Sequence, residues 1–410
     1  MSTVAVGIAA IASAAILAQT PWIAVLIARL GSGWRRPTPL TPQPSRPENL
    51  AKVSIVVPTL NEAQRLQPCL EGLMRQGYEV REILIVDSHS QDGTAEIVQA
   101  AQHRDPRLRL EFDPPLPPGW VGRPWALHTG FCRAHPESEW ILGIDADTQP
   151  QPGLVASLLA TAEQEQLDLI SLSPRFILKT GGEWWLQPAL LLTLIYRFGA
   201  ARAVETQPER ILANGQCLLI RRSRLEAMGG YQVAASSFCD DVTLVRAIAT
   251  TGARVAFRDG SKVLKVRMYE GMAETWREWG RSLDLKDATP AAQLWGDAYF
   301  LWAVQGLPLP LLVLGLMALA VTTPTLPLEM ATLLNGLLVL IRCGMTLAIA
   351  PAYDWQVGQG RWLFWLSPLA DPLAALRLTL SSWQRPKQWR GRIYPAKTHN
   401  FESDSKRNNQ

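Results

Sequence analysis

Two pairs of aspartates are placed where carboxylates are costly or useful. Asp145 and Asp147, one alanine apart, follow the apolar run WILGI, and Asp240 and Asp241 sit together at the head of DDVTLVRAI. An unpaired carboxylate at the end of a buried strand loses hydration worth on the order of several kcal/mol. Alternation along an extended segment points Asp145 and Asp147 to the same side, where they repel unless a cation lies between them. A hard divalent ion shared with a diphosphate would satisfy both. Asp240 and Asp241, in the first turn of an expected helix, would at the least favour its dipole.

The elements that must hold these residues alternate. VSIVVP at 53–58, EILIVD at 82–87 and WILGID at 140–145 are short β-rich runs, each ending in a polar loop and followed by a helical pattern. That alternation predicts an α/β domain with parallel strands and right-handed crossovers, whose ligands lie beyond the carboxyl ends of the strands. Asn61, Glu62, Asp87, Asp92, Asp145 and Asp147 all fall at that edge. Taken singly, Asn61 and Glu62 also fit as caps of a helix starting near Ala63, and SHSQDG at 88–93 as a turn.

Composition places the domain at a membrane. The chain is 48% hydrophobic and only 19% charged, with a net charge of +4 and no basic tract interleaved with aromatics, which argues against nucleic acid as a partner. Its five cysteines form no CxxC pair and its five histidines show no HxxxH spacing, so neither a disulfide frame nor a zinc site is expected. Residues 1–30 read as a transmembrane anchor, with Arg35 and Arg36 marking the cytoplasmic side, and 31–51 as a proline-rich linker. Residues 299–350 read as two further transmembrane helices, broken near 322–329. The apolar segment 361–382 carries Asp371, Arg377 and two prolines, so an interfacial or re-entrant course is favoured over a tilted fourth helix. A basic cytoplasmic tail at 383–410 follows.

The ordered set VSIVVPTLNE, LIVDSHSQDGT, GIDADT and CDDVTL resembles the successive motifs of family 2 glycosyltransferases, across roughly residues 52–270. The resemblance implies a GT-A fold, a Rossmann-like mixed sheet flanked here by N-terminal and C-terminal transmembrane helices. It implies a nucleotide-diphospho-sugar donor held by Pro58, Asn61, Glu62, Asp87 and Asp145, with Asp147 as the ligand of a divalent metal, Mn²⁺ or Mg²⁺. PPGWVGRPWALHTG at 117–130 is similar to the PPGWxGKxWA form of bacterial glycosyltransferases associated with carotenoid and hopanoid pathways, with Arg123 in place of lysine. Arginine keeps the charge and can pair bidentately with a diphosphate.

By the same resemblance Asp241 is the general base, and Asp240 stands where family members commonly have glutamate. An acceptor hydroxyl loses its proton as it attacks the anomeric carbon, which suits a carboxylate in reach, and a single in-line displacement implies inversion. The QxxRW motif of processive members is absent. In its place, within the segment 271–298, Glu274, Trp276, Arg277, Trp279 and Arg281 suggest an amphipathic helix with indoles at the membrane interface and arginines towards phosphates. The segment QWRGRIYP resembles the C-terminal part of ceramide glucosyltransferases, which makes Trp389 and Arg390 candidates on the catalytic side. The expected reaction moves one hexose to the hydroxyl of a membrane lipid, a hydroxylated carotenoid or related isoprenoid. Sphingolipid, hopanoid and polyprenyl-phosphate acceptors are the alternatives, and a polysaccharide synthase or a non-catalytic membrane scaffold are alternatives of another class. A bacterial inner membrane with the catalytic domain in the cytoplasm is the expected location.

Overall fold

The computed structural model describes residues 3–31, 37–199, 208–283, 285–383, 388–389 and 392–393. Arg35, Arg36, Arg390 and most of the 383–410 tail lie outside the described residues, as do the side chains of Arg281 and Trp389.

The core is a mixed α/β sheet. Strands β1 (Val53–Thr59), β2 (Val80–Asp87), β3 (Leu108–Phe112), β4 (Trp140–Ile144), β6 (Leu169–Ser173), β8 (Cys217–Arg221) and β9 (Val255–Asp259) lie in the order β3-β2-β1-β4-β8-β6-β9. Strands β1 to β4 pair in parallel, whereas β8 runs antiparallel to both β4 and β6. The inner strands are buried on both faces, which explains why VSIVVPT and EILIVD read as continuous apolar runs and do not alternate. A small second sheet joins β5 (Thr148–Pro150), β10 (Leu264–Val266) and β7 (Arg175–Phe176).

Helices α2 (Leu66–Met74), α3 (Thr94–Gln102) and α5 (Leu154–Glu165) follow β1, β2 and β5, and contribute Leu70, Val98 and Leu158 to the apolar layer on one face. Helix α2 begins at Leu66, after a turn, and not at Ala63. On the other face lie α4 (Gly122–Arg133) and α8 (Asp240–Thr250). Helix α4 approaches β1 so closely that a Cβ on Gly130 would stand 2.3 Å from Val56 Cγ1. That contact sets how near the first turn of α4, with Arg123, comes to the sheet.

Below the seven-stranded sheet is a layer of apolar helices. Helix α1 (Thr3–Gly31) and helix α12 (Leu326–Ile349) are long and apolar enough to cross a membrane. The expected helix at the start of 299–350 is instead one half of a bent pair: α10 (Ala291–Leu301) runs through a π-turn at Trp302–Gly306 into α11 (Pro308–Val321), with a 45° bend. A proline at 308 cannot continue the donor ladder, which accounts for the break. The 361–382 segment resolves into a 3₁₀ stretch, Arg361–Ala370, followed by α13 (Asp371–Trp383). A 3₁₀ stretch of that length tucked against α6 (Gly181–Phe198) is no straight span, and Trp362, Trp365 and Leu369 are exposed along it.

Several polar groups inside this layer are matched. Asp371 accepts hydrogen bonds from Arg342 Nε at 2.7 Å and Gln305 Nε2 at 3.0 Å, and Arg342 also reaches Ser367 Oγ at 3.2 Å. Gln19 on α1 donates to Asn335 Oδ1 on α12 at 3.0 Å and to the Ala303 carbonyl at 2.9 Å. The layer is tied to the α/β domain by Arg197–Asp297 at 3.1 Å, by Lys265–Asp354 at 2.7 Å and by a bridge between Phe176 and Tyr353.

Breaking a buried ion pair by removing one partner typically costs about 3–5 kcal/mol, while replacing both by apolar groups is often neutral. Arg342→Met should therefore lower the thermal unfolding midpoint in detergent strongly, and Arg342→Met with Asp371→Leu should recover most of the loss. Equal destabilisation in the single and double variants would show that the pair is not a coupled unit.

Candidate active site

The loops after β1 and β2 are stitched together. Asn61, in left-handed backbone conformation (φ 54°), donates its N–H to Ser90 Oγ at 2.8 Å and accepts from the Gln91 N–H at 3.0 Å. The Glu62 N–H donates to Thr94 Oγ1 and the Ala63 N–H to Asp92 Oδ2, at 2.9 and 3.0 Å. Asp87 is fully buried, and its carboxylate accepts from Thr59 Oγ1 at 2.9 Å and from the Ser90 N–H and Oγ at 2.8 and 2.5 Å. It braces the pocket wall from within. Pro58 lies in the buried run of β1. Nearby, Ser88 donates to Asp113 Oδ2 at 2.7 Å, and the His89 ring stacks on Phe112. The motifs did not single out His89, Ser90 or Asp113. A positive φ at His89 is set by the turn and leaves no trace in composition.

After β4 the chain turns. Asp145, Ala146 and Asp147 are not extended: the Thr148 N–H and Oγ1 both reach back to the Asp145 carbonyl, at 3.2 and 2.7 Å. The premise that alternation aligns the two carboxylates is thus corrected, because the strand ends at Ile144. The Cys69 thiol nearby is pushed up to about 12 by burial first, against a hydrogen bond with Thr148 that lowers it, while the fields of Asp147, Asp145 and Glu62 add to the rise.

The partner that compensates Asp145 is a side chain. Arg123 Nε and Nη2 bond to Asp145 Oδ1 at 3.0 and 2.8 Å, Nη2 also bonds to the Gly215 carbonyl at 2.8 Å, and Nη1 pairs with Asp240 Oδ2. Arg123, expected to face a diphosphate, instead bridges the turn after β4 and the head of α8. Its charge sits at the first turn of α4, where the helix dipole disfavours a cation, so the acids hold it there.

Asp240 and Asp241 both belong to the first turn of α8, whose dipole favours them. Burial pushes the Asp240 carboxyl up to about 7, with Arg123 pulling it down and Asp241 and Asp145 adding to the rise. Asp241 is raised as well, by burial first, against Arg123 and hydrogen bonds from Val242 and Gly215. Those bonds run from the Val242 N–H to Oδ1 at 2.8 Å and from the Gly215 N–H to Oδ2 at 2.7 Å. The motif reading overlooked the loop Asn214–Gly215–Gln216, which touches Arg123, Asp241 and, through the Gln216 carbonyl, the Asp145 N–H at 3.2 Å. A glycine between two amides ahead of an apolar strand was the available signal.

Helix α9 (Gly271–Ser282) is amphipathic, yet Trp279 does not reach an interface. It is buried against Phe176 and Tyr269, which corrects the expectation that both indoles face the membrane. Trp276 is partly buried with the Arg377 guanidinium 5.6 Å above its ring, and Glu274 pairs with Arg65 at 3.2 Å.

The arrangement is an edge lined by Asp145 and Asp147, with Asp240 and Asp241 joined to it through Arg123. Among the described residues no group of three or more His, Cys, Asp or Glu side chains forms a metal cage. One or two carboxylates completed by phosphate oxygens and water would suit Mg²⁺ or Mn²⁺.

Comparison with known proteins agrees. The family model described as glycosyl transferase family 2 matches residues 54–229. A 4,4'-diaponeurosporenoate glycosyltransferase of Staphylococcus haemolyticus is 24% identical over 239 residues, 58% of this chain and 62% of that one. An undecaprenyl-phosphate 4-deoxy-4-formamido-L-arabinose transferase of Pseudomonas fluorescens is 32% identical over 123 residues, 29% of this chain and 34% of the relative. The matched stretch therefore spans less than two thirds of either relative. A mannosyltransferase from Pyrobaculum calidifontis, solved in complex with GDP-Man and Mn2+, superposes with a TM-score of 0.49 at 19% identity, covering 90% of this chain and 99% of that one. The region similar to family 2 glycosyltransferases, residues 54–229, thus carries most of the mixed α/β sheet, the loops stitched at its carboxyl edge and the pair Asp145 and Asp147.

Proposed function

We propose that the chain transfers a single hexose from a nucleotide-diphospho-sugar to the hydroxyl of a membrane lipid, a hydroxylated carotenoid or related isoprenoid. The observation that carries the transfer is the juxtaposition, through Arg123, of the donor-edge acid Asp145 with the acids at the head of α8. The acceptor reading draws support from the PPGWVG segment, the relative from S. haemolyticus and the apolar helices beneath the site. Asn61, Glu62 and the wall braced by Asp87 would hold the nucleotide. Asp147 would hold a divalent ion, which when bound supplies charge neutralisation at the diphosphate.

In the reaction the acceptor oxygen attacks the anomeric carbon in line with the leaving group. The bond from that carbon to the diphosphate oxygen breaks, the nucleoside diphosphate leaves with the electron pair, and Asp241 takes the hydroxyl proton. Inversion follows. The domain would face the cytoplasm, as the basic flanks at Arg35 and Arg36 and in the tail demand. An acceptor that arrives ionised is the second reading, favoured by the undecaprenyl-phosphate relative. Such an acceptor needs no base.

Detergent-solubilised protein incubated with labelled nucleotide sugars and a pigment or lipid extract, with products identified by mass, tests the transfer directly. Asp147→Asn should abolish turnover while leaving the unfolding midpoint nearly unchanged; full activity of that variant in a chelator would rule out the metal role.

Asp241→Asn should bind donor normally and lose about 10²- to 10⁴-fold in kcat at saturating donor. Wild-type transfer by that variant would exclude Asp241 as the base and support the ionised acceptor.

Asp241 accepts a proton only when ionised, and burial raises its pKa, so kcat should rise with pH along a limb lying above the ordinary carboxylate value of about 4. Arg123→Gln, which removes the cation opposing that rise, should move the limb to higher pH. A pH–rate profile whose limb stays in place would disprove the electrostatic link.

A further inference from the structure

We propose that Gly215 is a positioning residue of the transfer reaction, whose peptide unit holds the acceptor base and the Arg123 guanidinium at once and whose missing side chain leaves the niche in which that guanidinium seats. The inference rests on the transfer reading above and extends it to a residue outside the recognised motifs.

Both polar groups of this one residue are spent on the site. The N–H donates to Asp241 Oδ2 at 2.7 Å, and the carbonyl accepts from Arg123 Nη2 at 2.8 Å. With Val242 N–H on Oδ1, both Asp241 oxygens are oriented by backbone donors, and each keeps a lone pair for an incoming proton. A Cβ at position 215 would stand 2.6 Å from Arg123 Nη2 and 3.0 Å from its Cζ, too close for both to stay. Gly215 is not among the residues with positive φ, so its backbone suits alanine, and the three nearest atoms that a Cβ would meet all belong to that guanidinium.

The loop itself is anchored. The Asn214 N–H donates to Ser171 Oγ at 2.7 Å, and Ser171 Oγ donates to the Asn214 carbonyl at 3.1 Å. Asn214 Nδ2 donates to Gln216 Oε1 at 2.9 Å, and the Gln216 N–H donates to Asn214 Oδ1 at 3.0 Å. Sliding the loop to absorb a Cβ would break its two bonds to Ser171. The displaced group is Arg123, and with it the link from Asp145 to Asp240.

The test uses the full chain in detergent with UDP-glucose, UDP-N-acetylglucosamine and GDP-mannose as donors and a lipid extract as acceptor source. Gly215→Ala should keep the wild-type unfolding midpoint and lose about 10²-fold in kcat, as a displacement of about 1 Å at reacting groups can, with a smaller change in donor KM. Its acid limb should shift to higher pH. The charged and titratable groups around Asp241 are Arg123 from α4, Asp145 from the turn after β4, and Asp240 and Cys239 beside it, and of these only Arg123 favours the ionised form. Adding Arg123→Lys, which lacks the forked group that the Cβ meets, should restore part of the lost kcat. A Gly215→Ala protein with wild-type kcat and pH profile, or a double variant no better than the single one, would overturn the assignment. Absence of product from the wild-type chain with every donor would overturn the transfer reading and this assignment with it.

Discussion

One guanidinium sets the terms for the catalytic end of the molecule. Three carboxylates, Asp145, Asp240 and Asp241, are gathered in a partly dry pocket where their mutual repulsion and lost hydration oppose one another's ionisation. Arg123 is the cation among them, and its planar fork can bond to Asp145, Asp240 and a carbonyl together, which an ammonium on a flexible stem could not reproduce in the same geometry. Everything around it serves to bring four chain segments within a few ångströms. Gly130 seats α4 against β1, and β4 stops at Ile144 to release Asp145. The antiparallel run of β8 matters most: it places the start of that strand, with Gly215 just before it, beside the carboxyl end of β4. A parallel strand would deliver its start to the opposite edge.

The architecture was largely legible in the chain because strands buried on both faces advertise themselves as apolar runs, and their polar ends mark one edge. VSIVVP, EILIVD and WILGI became β1, β2 and β4 with shifts of a few residues. What stayed hidden were partners. Arg123 is 22 residues from Asp145, 92 from Gly215 and 117 from Asp240, and neither periodicity nor spacing reports such pairings. Hence a residue whose charge pointed to a diphosphate turned out to be engaged by acids. The turn at Asp145–Ala146–Asp147 was missed for a local reason, the Thr148 hydroxyl capturing the Asp145 carbonyl, and two aspartates read the same in a strand or a turn. Trp279 was misplaced because amphipathicity gives a face without saying what covers it; here the cover is Phe176 and Tyr269.

The helices below are no passive float. Helix α6 sits between the two halves: Arg197 pairs with Asp297 on α10, while Glu183 at its start takes Arg267 from just beyond β10 at 2.5 Å. Tyr353 and Asp354, past the end of α12, return to β7 and β10 of the catalytic domain. The catalytic sheet is thus pinned to the apolar layer at several separate points. The height of that sheet's carboxyl edge above the layer is therefore fixed by the fold.

The buried pair between Arg342 and Asp371 carries a consequence for biogenesis. Synthesis runs from the amino end, so α12 leaves the ribosome complete with its arginine while the aspartate, 29 residues later, is still inside it. During that interval the nascent helix must be partitioned with an uncompensated cation near its middle, a penalty of about 2.5–3.5 kcal/mol on insertion scales, set against the leucines around it. The neutralising carboxylate then arrives at the head of α13, directly after the 3₁₀ stretch. Arg342 is in this sense a waiting receptor, and the docking of α13 becomes a late, charge-directed step in the maturation of the membrane layer.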